Sequence, residues 1–248
     1  MNIVLFERHE LEGERHYAVT LPLADPRAKH LRTVLRCSCG DCFRAGLADG
    51  PLGRGEVVAL TGEVIRLRFH AECGSPPNAP VRLLLGHPRP IQLQRILREL
   101  AAIGVSQVVV SHTELGERSY FQSTIWSGDS IRRLLLEGCS QGGGTRLPLV
   151  VREHTLERAV LRLERGEPRP AARLVLHPAP GGSRLAAAEG LMPPVVLAVG
   201  SERGWSTAEL ALLESGGYLR VRLGERVLRT ETAVVAATAV LLGRLHLL

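Results

Sequence analysis

Two stretches near the C-terminus carry residue types that can do chemistry. The first, Val195-Val-Leu-Ala-Val-Gly200-Ser-Glu202-Arg-Gly204-Trp205, is an apolar run that breaks into a Gly-rich turn. The second, Leu223-Gly224-Glu225-Arg226-Val227-Leu228-Arg229-Thr230-Glu231-Thr232-Ala233, is dense in Arg, Glu and Thr and leads into an apolar stretch. Arginine presents a planar, permanently charged fork suited to anions. Both stretches read as the carboxyl ends of strands, and ligands of parallel α/β sheets bind outside such ends. Arg226, Arg229 and Glu231 equally fit an ion-pair network that only pins the loop, and the residue types leave both readings open.

Other chemistries find little support. There is no Gly-x-Gly-x-x-Gly after a strand, no Gly-Lys-Ser/Thr, no His-Glu-x-x-His and no Gly-x-Ser-x-Gly. Gly142-Gly143-Gly144 follows a helix and reads as a flexible loop. Of five cysteines, Cys37, Cys39 and Cys42 cluster, but a closed zinc site needs four ligands and only His30 offers an obvious fourth. Reduced thiols in a turn are the expectation, with no metal and no disulfide framework.

The elements that position these stretches fall into two parts. The first 70 residues read as β-rich, with strands at Asn2–Phe6, His16–Leu21, Cys42–Ala48, Gly55–Leu60 and Glu63–His70, and turn chemistry at Asp49–Gly53. A helix at Pro26–Arg36 places Ala28, Leu31, Val34 and Leu35 on one face. Together these suggest a small barrel. The segment 73–80 holds three prolines with Gly, Ser and Asn and reads as a linker. The expected organisation is therefore 1–72, a linker at 73–80, and 81–248.

Beyond the linker, strands and helices alternate. Strands are expected at Val81–Leu85, Gln107–Ser111, Arg173–His177, Pro194–Val199 and Tyr218–Leu223. Helices are expected at Ile91–Ile103, closed by Gly104, and at Ser130–Gln141, Ser206–Ser215 and Thr230–Leu247. Ser206-Thr-Ala-Glu209 is a capping box. The pattern is α/β, with a mostly parallel sheet covered on both faces.

The net charge is +6, and every basic residue of the 31 except Lys29 is an arginine. A GC-rich coding bias explains such a skew; phosphate recognition does so as well, and the sign permits an RNA partner. Apolar runs are too short to span a bilayer, and Met1–Glu10 has no basic-then-apolar signal pattern. A soluble, cytoplasmic protein is expected.

The run Leu-Gly-x-Arg-Val-Leu-Arg-Thr-Glu-Thr-Ala at 223–233 resembles the signature of the bacterial 16S ribosomal RNA uridine-N3 methyltransferases, of the knotted SPOUT class. His30-Leu-Arg-Thr-Val-Leu-Arg36, followed by Gly40-Asp41, is similar to that family's N-terminal His-x-x-x-Val-Leu-Arg…Gly-Asp. Ile103-Gly104-Val105 and Gln141…Arg146-x-Pro148 resemble two further family segments, in the same order. The chain departs from the family at Gly200-Ser201-Glu202-Arg203-Gly204, where Gly-Pro-Glu-Gly-Gly is usual. Ala102 and Ser140 replace two acids, and Gly144 stands where Arg is common. The resemblance is to a divergent member.

The resemblance implies a PUA-like N-terminal barrel that touches RNA and a C-terminal domain with a trefoil knot. It implies S-adenosylmethionine as cofactor, a homodimer through the knot helices, ribosomal RNA of the small subunit as partner, and no membrane. Cofactor contacts would fall on Leu176, His177, Val199, Gly200, Gly204, Leu223, Gly224, Leu228, Thr230 and Ala233. Uridine N3 keeps its proton at neutral pH, so methylation needs charge stabilisation at O2 and O4; Arg229 and then Arg226 are the candidate donors. Glu231 reads as orienting Arg229, since a carboxylate beside arginines is a weak base. For RNA, Arg8, Arg32, Arg36 and Arg203 are candidates, with a solvated helix face the competing reading for Arg32 and Arg36. Tyr120, Phe121 and Trp126 fit either stacking on an unpaired base or core packing. A non-enzymatic or retargeted RNA-binding paralogue is the alternative function.

Overall fold

The computed structural model describes residues 1–13, 17–178 and 182–248. The chain divides into two compact units, residues 1–77 with 136–147, and residues 78–135 with 148–248.

The first unit is built on a five-stranded mixed sheet. Its strands are β1 (Val4–Phe6), β2 (Tyr17–Pro22), β3 (Cys42–Leu47), β4 (Leu52–Leu60) and β5 (Val64–Cys73), in the order β1-β3-β4-β5-β2. Only β1 and β3 run parallel; the other pairs are antiparallel. Phe6, Leu21, Val57, Ile65, Leu67 and Phe69 alternate inward along these strands and form the core. His16, expected at the start of the second strand, lies outside the described residues.

Helix α1 (Pro26–Thr33) is shorter than its expected span. It starts at Asp25, whose Oδ1 accepts the Arg27 N–H at 2.8 Å, and buries only Ala28 and Leu31. Val34 and Leu35, expected on the same face, are 64% and 49% exposed. Arg36 lies past the helix end at φ +54°, so it does not continue the helical face of Arg32. The anchor of α1 is Arg27, which the periodicity did not single out. Its guanidinium bonds Glu10 at 2.5 and 2.8 Å, Asp25 at 2.7 and 3.0 Å, and the Leu5 carbonyl at 2.9 Å. Burial alone would raise the Glu10 and Asp25 pKa values; Arg27 outweighs it, and both are held below the usual range.

Residues 136–147 join this unit through main-chain partners. Ser140 Oγ donates to the Ile3 carbonyl at 2.8 Å, and Thr145 Oγ1 to that of Gly50 at 2.7 Å. The Leu147 N–H donates to Asp49 Oδ1 at 2.9 Å. The expected organisation assigned this stretch to the second part; such long-range main-chain bonds leave no periodic trace.

The second unit is a seven-stranded sheet in which every pairing is parallel. Its strands are β6 (Ala79–Gly86), β7 (Val105–Ser111), β8 (Leu149–Glu153), β9 (Ala172–Leu176), β10 (Ser183–Arg184), β11 (Val195–Val199) and β12 (Leu219–Arg222), ordered β10-β12-β9-β11-β6-β7-β8. The apolar run 195–199 is β11, between β6 and β9, and all five residues are buried. Both faces of that strand are covered, hence its unbroken apolar character.

The helices are α2 (Pro90–Ile103), α3 (Ser130–Gly142), α4 (Leu156–Glu164), α5 (Thr207–Ser215) and α6 (Thr230–Arg244). Gly104 ends α2 in the left-handed conformation at φ +84°, and Ser206 with Glu209 forms the capping box of α5. Strand β8 and helix α4 were not expected. Yet Leu156, Ala159 and Leu163 have helical spacing and are buried, and Thr155 caps α4, so the signal was present. Arg82, on β6, is only 6% exposed and donates to the carbonyls of Leu163 in the last turn of α4 and of Gly166 and Pro168 beyond it. Among the described residues no helix is long and apolar enough to cross a membrane.

Candidate functional site

The carboxyl ends of β9, β11 and β12 converge on a cavity of about 240 Å³. Its walls come from residues 176–178, 199–205, 223–224, 226–228, 230 and 233. All ten residues named above for cofactor contact, from Leu176 and His177 to Thr230 and Ala233, line it. Arg203 and Arg226 line it too and are exposed at its rim.

The geometry of the 200–204 turn explains its glycines. A Cβ on Gly200 would lie 2.7 and 2.8 Å from the Gly204 main chain, closer than side chains tolerate. Gly204 adopts φ +75° and its N–H donates to the Ser201 carbonyl at 2.9 Å. Below the turn, a Cβ on Gly86 would meet the Ser201 nitrogen at 2.6 Å. Gly224 differs: nothing lies within 4 Å of its would-be Cβ. Ser201 and Arg203, the positions that depart from the family pattern, lie between these two glycines.

The cavity is polar in specific places. Ser201 Oγ and Trp205 Nε1 are buried with no hydrogen-bond partner among the described residues. Thr230 opens α6, whose first N–H groups have no intrahelical acceptors and whose dipole favours negative charge. Burial, then the Arg220 charge, lowers the His177 pKa and favours its neutral form.

Arg229 and Glu231 are placed otherwise. Arg229 is the exposed N-cap of α6, and Glu231 is half-buried in the first turn; neither lines the cavity. Among the described residues no side-chain hydrogen bond or ion pair joins them. The carboxylate that does engage arginines is Glu225, bonded to Arg222 at 2.6 Å and Arg184 at 3.4 Å. The Arg222 hydrogen bond is the main cause of its lowered pKa. The ion pairs of this loop thus involve residues outside the expected trio.

A second cluster joins the aromatics at 120–126 to His87 and Arg152, which sequence reading did not single out. The buried His87, just past β6, places Nδ1 2.7 Å from the Pro88 carbonyl, and the Trp126 indole N–H donates to Nε2 at 3.0 Å. These bonds require the neutral Nδ1–H tautomer. Burial first, with the nearby Arg152 charge, keeps the His87 pKa low. Arg152 lies 5.2 Å over each of Phe121 and Trp126. The aromatics at 120–126 are therefore committed to packing around His87 and Arg152, and Phe121 is buried.

In the first unit, Arg8 is exposed and sits 5.6 Å over the Tyr17 ring. Arg32 is exposed on α1. Cys39 Sγ donates to the Val58 carbonyl, and among the described residues no three His, Cys, Asp or Glu groups are arranged to hold a metal.

Residues 75–242 match the family described as an RNA methyltransferase domain. The chain is 36% identical to the ribosomal RNA small subunit methyltransferase E of Treponema pallidum (strain Nichols), over 99% of this chain and 92% of that protein. It is 27% identical to methyltransferase E 1 of Borreliella burgdorferi, over 99% of each. Among solved structures, a ribosomal RNA small subunit methyltransferase E from Neisseria gonorrhoeae, bound to S-adenosylmethionine, superposes with a TM-score of 0.74 at 20% identity over 97% of each chain. A putative methyltransferase from Legionella pneumophila, also with that cofactor, gives 0.72 at 22% over 98% of each. At these identities the two structures speak for the fold.

Proposed function

This chain belongs to the RNA methyltransferase family, and on that premise we propose that it methylates N3 of a uridine in 16S ribosomal RNA, using S-adenosylmethionine. The observation that carries this is the cavity at the ends of β9, β11 and β12, into which the 223–233 run and the 200–204 turn both fold. The cytoplasm, where that RNA is found, is the expected compartment.

The cavity suits the cofactor. Leu176, Val199, Leu223, Leu228 and Ala233 give an apolar wall for an adenosyl group. The open space at Gly224 is what a ligand lying against main chain needs. Ser201 Oγ and Trp205 Nε1 have no partner among the described residues, and a polar ligand would satisfy them. When bound, the cofactor supplies an electrophilic methyl group on sulfonium. The work left to the protein is to orient the base and to stabilise charge on its O2 and O4 as the N3 proton passes to solvent. Arg226, at the rim, and Arg229, at the start of α6, are the guanidinium groups available for that. Among the described residues no arginine pairs with Glu231, so an orienting role for it has no support from hydrogen bonding.

The remaining features belong to the same reading. The three connections after β9, β11 and β12 crowd one cavity, as a trefoil knot would require. The half-buried Val235, Ala236, Ala239 and Val240 of α6 suit a homodimer contact, which sedimentation at micromolar concentration tests. The first unit's sheet is consistent with a PUA-like barrel that meets RNA through Arg8 and Arg32, with Arg36 after the helix.

The test is methyl transfer from labelled S-adenosylmethionine to small ribosomal subunits lacking the modification, followed by mass spectrometry of the nucleosides. 3-Methyluridine in 16S RNA is the expected product. A different methylated nucleoside would overturn the base assignment, and no transfer to any RNA would favour the non-enzymatic paralogue.

A further inference from the structure

Helix α2 starts without a cap from its own residues. Arg89, at the N-cap, makes no side-chain cap, and Pro90 at the first position has no N–H. The Arg89 N–H is nonetheless satisfied: Glu202 Oε1, from the turn beside the cavity, accepts it at 2.7 Å. In a capping box that N–H goes to a Glu or Gln at the third helical position. Here the third residue is Gln92, and its Oε1 is buried with no hydrogen-bond partner among the described residues. A suitable acceptor within the helix is thus idle, while a carboxylate 113 residues further along the chain holds its usual partner.

Glu202 is also a wall of the cavity. The turn that carries it is seated against Gly86 at the end of β6, where no side chain fits. We propose that Glu202 is a positioning residue for the cofactor, holding the 200–204 turn closed on the cavity by capping α2, and that Gln92 takes over the Arg89 N–H when the turn opens. This rests on the assignment of the cavity to S-adenosylmethionine. The bond is solvent-exposed, so with neither side chain in reach the Arg89 N–H would turn to water and only the charge-assisted cap would be lost. With Gln92 in place, opening exchanges a charged acceptor for a neutral one. Two discrete arrangements of one donor make a turn that closes firmly yet releases its ligand.

The experiment combines calorimetry with S-adenosylmethionine, thermal unfolding, and methyl-transfer kinetics on the full chain. Glu202→Ala should raise the cofactor Kd and KM about tenfold or more, with kcat within about threefold. Its Tm should stay within about 2 °C of the parent, because Gln92 caps the helix instead. Glu202→Gln keeps an acceptor and should recover most of the lost affinity. Gln92→Leu alone should leave Tm unchanged and Kd no weaker, because Glu202 keeps the Arg89 N–H in the closed turn, and should slow cofactor release; combined with Glu202→Ala it should lower Tm by several degrees beyond the sum of the two.

Equal weakness of Glu202→Gln and Glu202→Ala would overturn the proposal. So would parental cofactor binding by Glu202→Ala, or additive Tm shifts in the double variant. Gly224→Leu separates the two layers of the argument, since the open space at Gly224 admits a side chain without main-chain clash. Parental cofactor binding by Gly224→Leu would remove the cavity assignment itself. Blocked binding there, with Glu202→Ala unaffected, would remove only the latch.

Discussion

A single methyl group on Gly200 tests whether the 200–204 turn shapes the cofactor site. The added Cβ would stand 2.7 Å from the Gly204 carbonyl carbon, 2.8 Å from its Cα and 3.0 Å from its oxygen. Ordinary contact begins at 3.4 Å, so the strands of the turn must separate by as much as about 0.7 Å. The obstacles are main-chain atoms, and no rotamer change relieves them. The turn yields by lengthening its own closing bond, Gly204 N–H to Ser201 O, while β11 beneath it stays paired on both sides. Overpacking of this size costs about 1–3 kcal/mol. Borne by the bound geometry, it weakens S-adenosylmethionine about 5- to 150-fold. Borne by the fold, it lowers Tm by about 2–4 °C for each kcal/mol. Calorimetry and thermal unfolding of Gly200→Ala, beside Gly224→Ala as a substitution into open space, read both. Gly224→Ala should keep the parental Tm. If Gly200→Ala bound cofactor and melted like the parent, the steric account of the turn would be wrong.

Three further outcomes follow from other residues. Arg229→Ala should slow methyl transfer about 10²- to 10³-fold with cofactor affinity little changed, and parental turnover in single-turnover kinetics would end its assignment. Arg82→Met strands three carbonyls at the end of α4 and should destabilise by about 3 kcal/mol in urea unfolding; a loss below about 1 kcal/mol would show that water replaces the guanidinium. Glu10 and Asp25 have lowered folded pKa values, so their ion pairs stabilise above the ordinary values of 4.5 and 3.8 and that contribution disappears as pH falls through the lowered ones. Arg27→Met should flatten this acid limb while lowering stability at pH 7 by about 2 kcal/mol, and an unchanged pH profile in that variant would contradict the network.

The second unit was legible in sequence wherever burial was two-sided or a terminus was capped. The apolar run 195–199 could only be an interior parallel strand, and Gly104 and Ser206 announced a helix end and a helix start. The cavity residues came from what the family resemblance of the 223–233 run and the 200–204 turn implies, and the rule that ligands bind at strand ends agrees with them. What failed was whatever depends on a partner far along the chain. Val34 and Leu35 continue the spacing of Ala28 and Leu31, but the helix stops at Thr33 and the two side chains face solvent. Arg27, Arg82 and Arg152 look like surface arginines in sequence; their acceptors and rings lie between 2 and 86 residues away. Glu225 sits inside the signature run with Arg222 only three residues away, but its second partner, Arg184, arrives only when β10 pairs with β12.

The assignment of residues 136–147 to the first unit bears on how the protein is made. Residues 1–77 leave a ribosome before the segment that supplies Ser140 and Thr145 has been synthesised. About 70 more residues must follow before that unit has all its main-chain partners. At about 5–20 residues per second this is a delay of roughly 4–14 s. During it the Ile3 and Gly50 carbonyls lack their hydroxyl donors, while β6 and α2 of the second unit have already been translated. The N-terminal unit is therefore not free to finish first: its last bonds await chain that arrives only after the other unit has begun. A gene fragment cut at the Pro-rich linker would release a polypeptide that is short of those bonds for good.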